Sequence, residues 1–221
     1  MNQKKIAGEK AAEFIKDGMI VGLGTGSTAK YLVDKVGDMV KNGLKIYAVA
    51  TSKATEIQAR ELGIPLLDIN EVEYIDIDID GVDEIDKSFN ATKGGGGALF
   101  REKIVADLAK EVIWIMDESK VVDYLGKFPL PIEILPYGYK VTLQKLKGYG
   151  YNPAIRLKEK ELFVTDNGNY IVDLHLGVPV DIDDVKQKLD KMVGVLETGY
   201  FLKMCNRIIV GTSSGVRIIE V

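Results

Sequence analysis

The acidic residues between positions 76 and 87, in the segment DIDIDGVDEIDK, are the first candidates for chemistry. Its first six residues match the opening of an EF-hand calcium loop: acid, any, acid, any, acid, glycine. Such a loop ends in a bidentate glutamate at its twelfth position, where this chain has Lys87. Isoleucines also alternate with the aspartates, which is the period of a strand. The sequence therefore favours a strand over a calcium site.

The acids of this strand are not equivalent if the sheet is parallel. Ligands of such sheets collect beyond the carboxyl ends of the strands. This rule selects Asp80 and the turn residue Asp83 as functional candidates. For Asp76 and Asp78 we expect a polar or edge-facing side of the strand.

A glycine turn, GLGTGST at 22–28, stands between a predicted strand and a predicted helix. Free backbone N–H groups and the positive helix end make such a turn a candidate phosphate site. A dinucleotide fingerprint needs glycine or alanine at position 27, which is Ser27, and a carboxylate after the second strand, which is missing. A Walker lysine is also missing. The turn suits one phosphate monoester, although a tight turn with Ser27 or Thr28 as helix cap is an alternative.

A second glycine run, Lys93 to Gly97, precedes a predicted helix that contains Glu102. Four consecutive glycines are costly to order, which favours a loop pressed against a ligand. At 100° per residue, Glu102 shares a helix face with Ala98, Val105 and Ala106. A carboxylate on such an apolar face needs a partner or a function if it is buried. A half-exposed surface glutamate is the alternative.

The composition excludes several classes of function. The chain has 221 residues and a formal net charge of −4, with basic residues dispersed along it, so nucleic acid is not an expected partner. No apolar run resembles a signal peptide or a membrane span, and we expect a cytoplasmic protein without membrane contact. His175 is the only histidine and Cys205 the only cysteine. The chemistry should therefore use carboxylates, lysines and backbone amides.

Helical and strand patterns alternate in the first half of the chain, which predicts a doubly wound α/β domain with a mostly parallel sheet. The predicted helices cover about 4–16, 27–43, 54–62 and 98–110, and the predicted strands 19–23, 45–52, 65–67, 74–80 and 111–117.

The pattern changes after Lys127 to β-α-β-β-α-β, which is typical of a ferredoxin-like fold. Its strands are expected at 132–135, 154–157, 162–165, 170–175 and 195–201, and its helices at 139–147 and 183–192. The last two strands, 207–212 and 216–221, should rejoin the first sheet. We expect a large catalytic domain at 1–126 and 202–221, with an inserted smaller ferredoxin-like α+β domain at 127–201.

Several motifs in order resemble ribose-5-phosphate isomerase of the A type. They are GTGST at 24–28, DGVDE at 80–84, KGGGGAL at 93–99, REK at 101–103, DESK at 117–120 and GKFPLPIE at 126–133. The resemblance extends from the first strand to the end of the chain. It implies an aldose–ketose isomerase that interconverts ribose 5-phosphate and ribulose 5-phosphate through an enediolate, without a metal or an organic cofactor. A homodimer, or a dimer of dimers, is the implied assembly.

The resemblance also implies which residues contact the sugar phosphate. They are Thr25, Gly26, Ser27, Thr28, Asp80, Gly81, Val82, Asp83, Lys93, Gly94, Gly95, Gly96 and Lys120. Glu102 would be the base that transfers the proton, and Lys93 would stabilise the enediolate. Asp80 and Asp83 would assist ring opening and proton movement between O1 and O2. No motif anchors Lys4, which we leave out of the predicted site.

Two other functions fit parts of the sequence. A non-catalytic sugar-phosphate sensor, such as the effector domain of a transcriptional regulator, could use the same phosphate loop. Sensing would not require Glu102 or the aspartates. Such a regulator also needs a DNA-binding module, and no basic recognition helix precedes the first strand. A nicotinamide-dependent dehydrogenase is disfavoured by the glycine spacing.

Overall fold

The computed structural model describes residues 2–221, which form two compact units. The larger unit contains the chain up to Val82, Arg101–Val121 and Met204–Val221. The smaller unit contains Asp83–Phe100 and Val122–Lys203. The domain boundaries expected from the sequence stay a prediction.

The six helices and the six strands of the large sheet follow one another in the predicted order, whereas the short strands at 84–85 and 91–92 were not predicted. The helices are α1 Gln3–Ala12, α2 Ala29–Lys41, α3 Lys53–Glu61, α4 Leu99–Leu108, α5 Tyr139–Gly148 and α6 Ile182–Asp190. The strands are β1 Ile20–Leu23, β2 Tyr47–Ala50, β3 Ile75–Gly81, β4 Glu84–Ile85, β5 Ala91–Thr92, β6 Ala109–Asp117, β7 Leu130–Ile134, β8 Pro153–Ile155, β9 Leu157–Lys158, β10 Glu161–Leu162, β11 Tyr170–Leu174, β12 Val195–Thr198, β13 Tyr200–Phe201, β14 Arg207–Thr212 and β15 Gly215–Glu220. The segment predicted as a strand at 65–67 forms only a single bridge, from Leu66 to Ala48.

A six-stranded sheet organises the larger unit, in the order β15-β14-β6-β3-β1-β2. Five of these strands run parallel, and β15 pairs antiparallel with β14. The predicted mostly parallel sheet is therefore confirmed. The acidic strand β3 lies between β6 and β1, so the carboxyl ends of these three strands share one edge of the sheet. None of the helices in the described residues has the length and apolar composition of a membrane span.

The two faces of β3 differ in character. Ile77 and Ile79 join a buried core with residues of α1 and α2. On the other face Asp78 is fully buried, and it lies opposite Gly22 of β1. A Cβ atom at Gly22 would lie 2.4 Å from Oδ1 of Asp78. Glycine in β1 therefore makes room for a carboxylate on the neighbouring strand.

This arrangement corrects part of the expectation for Asp76 and Asp78. Asp78 shares a polar face of β3 with Asp76 and Asp80, as expected, but β3 is a central strand, so an edge-facing side is wrong. Asp78 is also fully buried. Asp76 is half-buried and accepts hydrogen bonds from the Ile20 N–H at 2.9 Å and the Lys110 ammonium at 2.9 Å. Burial opposes ionisation of Asp76, but these two donors lower its pKa overall.

The smaller unit contains a four-stranded antiparallel sheet in the order β12-β7-β11-β8. One face carries the apolar core, which includes Ile132, Ile134, Val172 and Leu174 together with α5 and α6 residues such as Leu146. A three-stranded sheet has the order β13-β5-β4. Strands β4 and β5 precede the glycine run in sequence, and β13 follows it. The strands β9 and β10 form a short hairpin.

The side chain of Glu84, on β4, binds the segment 126–128, which leads into the proline-rich stretch. Its side chain is buried and accepts hydrogen bonds from the N–H groups of Gly126 at 3.0 Å and Phe128 at 2.7 Å. Charge-assisted hydrogen bonds of this kind stabilise a fold more than neutral ones. The sequence motif DGVDE therefore includes a structural carboxylate as well as functional candidates.

We expect Glu84→Ala to lower the free energy of unfolding by roughly 3 kcal/mol, because two backbone donors lose a charged acceptor. The midpoint of urea denaturation measures this change. Glu161→Ala, at an exposed position in β10, is the matched control and should shift the midpoint little. Equal shifts for both variants would contradict the structural role of Glu84.

Candidate active site

Thr25, in the loop between β1 and α2, makes contacts through both its backbone N–H and its hydroxyl group. Its N–H donates to Oδ1 of Asp80 at 2.9 Å. Its hydroxyl lies 2.7 Å from the hydroxyl oxygen of Thr51, 2.8 Å from that of Ser52 and 3.2 Å from that of Thr55. This cluster of hydroxyl groups was missed from the sequence, although the sequence TSKAT directly after β2 places three of them at the same sheet edge.

The start of α2 differs from an ordinary capped helix. Gly26 has φ +116°, a conformation that favours glycine. Thr28 holds the N-cap position, but its side chain makes no capping hydrogen bond. A Thr28 cap is therefore wrong as the explanation of this turn. Instead, the exposed Ser27 hydroxyl accepts a hydrogen bond from Nζ of Lys4 at 3.0 Å, which brings Lys4 to the loop.

Asp80 is fully buried near the carboxyl end of β3. Its Oδ1 accepts from the N–H of Thr25 at 2.9 Å and from that of Gly81 at 2.6 Å. A Cβ atom at Gly24 would lie 2.1 Å from the same oxygen, so Gly24 leaves the space that the carboxylate fills. Asp80 therefore has one position and one orientation relative to the 25–28 loop.

Glu102 lies in the first turn of α4 and only 3% of it is exposed. One turn later, Val105 packs over Gly22, because a Cβ atom at Gly22 would lie 2.6 Å from Cγ1 of Val105. The helix therefore covers the face of the sheet that carries Asp78 and Asp80. The alternative of a half-exposed surface glutamate is wrong.

Lys120 follows β6 on a short 3₁₀ helix, Glu118–Lys120. Asp117 caps this turn by accepting a hydrogen bond from the Ser119 N–H at 3.0 Å, and it also accepts one from the Ser119 hydroxyl. Since β6 and β3 are parallel neighbours, Lys120 emerges at the edge where Asp80 and Gly81 end their strand. The larger unit thus brings the 25–28 loop, Asp80, Gly81 and Lys120 to one edge.

Asp83 and the glycine run lie together in the smaller unit. Oδ2 of Asp83 accepts from the Gly95 N–H at 2.7 Å, and a Cβ atom at Gly95 would lie 2.5 Å from Oδ1 of Asp83. Gly94 and Gly97 have φ values of +98° and +78°. At least three positions of the run therefore require glycine for conformational or steric reasons. The expectation from sequence, that the run is pressed against a ligand, did not include these reasons.

Lys93 begins the glycine run and is only 1% exposed. Its backbone N–H donates to the carbonyl oxygen of Gly199 at 2.8 Å, and its Nζ lies 5.3 Å from the centre of the Phe201 ring. A Cβ atom at Gly199 would lie 2.4 Å from the Lys93 carbonyl oxygen. Gly199 therefore allows the close approach that fixes the Lys93 backbone.

Two single residues that the sequence singled out lie apart from these features. His175 is exposed just after β11, and its backbone N–H donates to the Asn152 carbonyl oxygen at 3.3 Å. Burial raises the pKa of the Cys205 thiol to about 11, so this thiol is protonated at neutral pH. Within residues 2–221, no three His, Cys, Asp or Glu side chains are grouped as metal ligands.

Comparison with known proteins identifies relatives over nearly the whole chain. The family model described as Ribose 5-phosphate isomerase A (phosphoriboisomerase A) matches residues 47–215. Ribose-5-phosphate isomerase A of Streptococcus gordonii is 50% identical over 220 residues, which is 99% of this chain and 98% of the relative.

Solved structures agree with this match. Ribose 5-phosphate isomerase from Plasmodium falciparum superimposes with a TM-score of 0.94 at 39% identity, covering 99% of this chain and 97% of the relative. A D-ribose-5-phosphate isomerase in complex with phospho-erythronic acid also gives a TM-score of 0.94, at 38% identity, with 100% of each chain covered.

Proposed function

Because the chain belongs to the ribose 5-phosphate isomerase A family, whose members interconvert ribose 5-phosphate and ribulose 5-phosphate, we propose roles in this reaction for the residues described above. The reaction moves a proton between C2 and C1 of the open-chain sugar through an enediolate. It requires a base that reaches both carbons, groups that stabilise the developing oxyanion, and an anchor for the phosphate. The buried position of Glu102 on an apolar helix face is the observation that carries the proposal.

Glu102 is the base in this mechanism. Its carboxylate removes the proton from C2 of the aldose and returns it to C1, which gives the ketose. A buried carboxylate on a helix is held in one position, so the same oxygen can serve both carbons in turn. General base catalysis of this kind contributes roughly 10² to 10⁴ in rate.

The charge that develops on O1 and O2 needs a fixed cation and fixed proton carriers. Lys93 supplies the cation, and its backbone is held by Gly199. Asp80 and Asp83 assist ring opening and move protons between O1 and O2. Support for these roles comes from their fixed carboxylates: Thr25 and Gly81 donate to Asp80, and Gly95 donates to Asp83.

The phosphate is held by Thr25, Gly26, Ser27 and Thr28 at the start of α2, where backbone N–H groups and the helix dipole favour an anion. Lys4 joins this anchor, since its ammonium already contacts the Ser27 hydroxyl. Gly81, Val82, Gly94, Gly95, Gly96 and Lys120 complete the contacts to the sugar phosphate. The relative solved with phospho-erythronic acid binds a phosphorylated sugar acid, which supports an anchor of this class.

The finer architecture and the assembly belong to the same proposal. The order β12-β7-β11-β8 is fourth, first, third, second among the strands of the smaller antiparallel sheet, which supports an inserted ferredoxin-like domain at 127–201. We also propose that this protein is cytoplasmic and, on the strength of the family resemblance, that it is a homodimer or a dimer of dimers. Its mass in solution tests the dimer.

Incubation of the purified protein with ribose 5-phosphate alone tests the function and the absence of a cofactor. We expect ribulose 5-phosphate to form, at the same rate in excess EDTA as without it. A non-catalytic sensor would produce no ketose, and a dehydrogenase would produce none without a nicotinamide. A rate that is lost in EDTA and restored by a divalent cation would contradict the metal-free mechanism.

A further inference from the structure

Arg156, directly after β8, makes hydrogen bonds to two different parts of the smaller unit. Its Nε and Nη2 donate to the two carboxylate oxygens of Asp173 on β11, the Nε bond measuring 2.9 Å. Its Nη1 donates to the carbonyl oxygens of Gly94 at 2.9 Å and Gly95 at 3.1 Å. Only 15% of the Arg156 side chain and 17% of the Asp173 side chain are exposed.

The peptide group between Gly94 and Gly95 is bound by a cation on one side and by a carboxylate on the other. The carbonyl of Gly94 and the N–H of Gly95 belong to the same planar amide. The guanidinium of Arg156 donates to the carbonyl, while the N–H donates to the carboxylate of Asp83 at 2.7 Å. Hydrogen bonds in such a chain polarise and strengthen one another. Cation, peptide and carboxylate therefore fix each other's positions.

A second contact comes from Phe163, directly after the β9–β10 hairpin. The Phe163 ring packs against Gly97, since a Cβ atom there would lie 2.4 Å from Cε1 of Phe163. The Phe163 N–H donates to the Arg156 carbonyl oxygen at 3.0 Å, and the guanidinium lies 5.8 Å from the centre of the ring. The segment 156–163 thus contacts the glycine run at Gly94 and Gly95 through Arg156, and at Gly97 through Phe163.

We propose that Arg156, oriented by Asp173, is a positioning residue for the isomerase reaction. It holds the Gly94–Gly95 peptide and, through that peptide, the carboxylate of Asp83 and the loop that begins at Lys93. This inference rests on the proposed functions of Asp83 and Lys93. Arg156 acts through these groups and does not itself contact the substrate. A planar guanidinium suits this task, because it binds a carboxylate with one edge and carbonyls with another, which an ammonium does poorly.

Arg156→Met tests the inference by removing the charge while keeping an unbranched side chain. We expect the turnover number to fall about tenfold or more, because small displacements of catalytic groups are costly. Binding of phospho-erythronic acid, measured by calorimetry, should weaken by a smaller factor than turnover falls, since its phosphate is held by the 25–28 loop, which Arg156 does not touch. Amide hydrogen exchange in 93–97 should accelerate. Arg156→Lys should recover only part of the turnover.

Arg207→Met is the matched control. Arg207 also bonds two carboxylates, Glu111 and Glu220, and 18% of its side chain is exposed. It should keep normal turnover and normal exchange in 93–97. Asp173→Asn provides a second test if Arg156→Met folds poorly, because asparagine keeps the shape of the side chain but removes its charge. We expect Asp173→Asn also to lower turnover by a larger factor than it weakens binding of the analogue.

Normal turnover in folded Arg156→Met or in Asp173→Asn would overturn the inference, and so would a loss equal to that of Arg207→Met. A loss confined to binding of phospho-erythronic acid would also overturn it. These results are distinguishable from failure of the proposed site. If Glu102→Gln abolishes turnover while Arg156→Met leaves it intact, only the positioning role is refuted. If Glu102→Gln is itself active, the proposed site is refuted.

Discussion

Glu102→Gln is expected to lower the turnover number by at least about 10² to 10⁴, the range that a general base contributes. Glutamine has nearly the same shape as glutamate, so the buried position on α4 should remain filled. The amide has no basic oxygen that can accept the C2 proton. Single-turnover measurements with ribose 5-phosphate would show the loss in the chemical step, and binding of phospho-erythronic acid should remain.

Asp107→Asn is the control for this variant, since it makes the same chemical change on an exposed position of the same helix. It should leave turnover unchanged. Exchange of the C2 proton with solvent deuterium gives an independent measurement, because it requires the base but not release of product. Near-normal turnover or exchange in Glu102→Gln would remove Glu102 from its role and would require another base.

The order of the elements could be predicted because it depends on local patterns. Alternation of isoleucine and aspartate identified β3, and helical spacing placed Glu102 on a buried face. The segment at 65–67 shows the limit of such patterns. Pro65 has no N–H to donate to a neighbouring strand. The segment is bound to β2 by two backbone hydrogen bonds, from the Ala48 N–H to the Pro65 carbonyl oxygen and from the Leu67 N–H to the Ala48 carbonyl oxygen, both at 2.9 Å.

The contacts that hold the site depend on pairing between distant parts of the chain. Gly24 was interpreted as part of a phosphate loop, whereas the structure places it beside Asp80, which follows 56 residues later. Asp78 was expected on a polar or edge-facing side of the strand, and the sequence did not indicate that it is buried. It is buried because β1 has glycine opposite it. The register of two strands decides both cases, and no local pattern reports that register.

Arg156 illustrates the same limit for the smaller unit. It is 62 residues from the Gly94 carbonyl oxygen that it contacts, and its own neighbours in sequence are those of an ordinary strand end. Its function therefore emerges only from tertiary structure. The glycine run, by contrast, could be recognised as unusual from sequence, although the steric contacts with Asp83 and Phe163 could not.

Gly24→Ala should be one of the most damaging conservative substitutions in the larger unit. The added Cβ atom would lie 2.1 Å from Oδ1 of Asp80 and 2.5 Å from its Cα atom. Rotation of the Asp80 side chain cannot relieve the second contact, because Cα belongs to the backbone. Strands β1 and β3 must therefore move apart. This movement strains the bond from the Gly24 N–H to the Ile79 carbonyl oxygen, now 3.1 Å.

Two measurements separate the consequences of that movement. The free energy of unfolding should fall by about 1–3 kcal/mol, as in overpacked cores, and thermal denaturation in the presence and absence of phospho-erythronic acid would measure it. In the fraction that remains folded, turnover should fall by about 10², because Asp80 loses its hydrogen bond from Thr25 and its fixed orientation.

Gly148→Ala is the matched control for Gly24→Ala, because no heavy atom lies within 4 Å of the Cβ position at Gly148. It is the last residue of α5, where alanine is a better helix former than glycine, and both stability and turnover should be kept or slightly improved. Normal turnover in Gly24→Ala would contradict the fixed Asp80 carboxylate. A loss of stability with unchanged turnover per folded molecule would limit Gly24 to a packing role and remove Asp80 orientation from the mechanism.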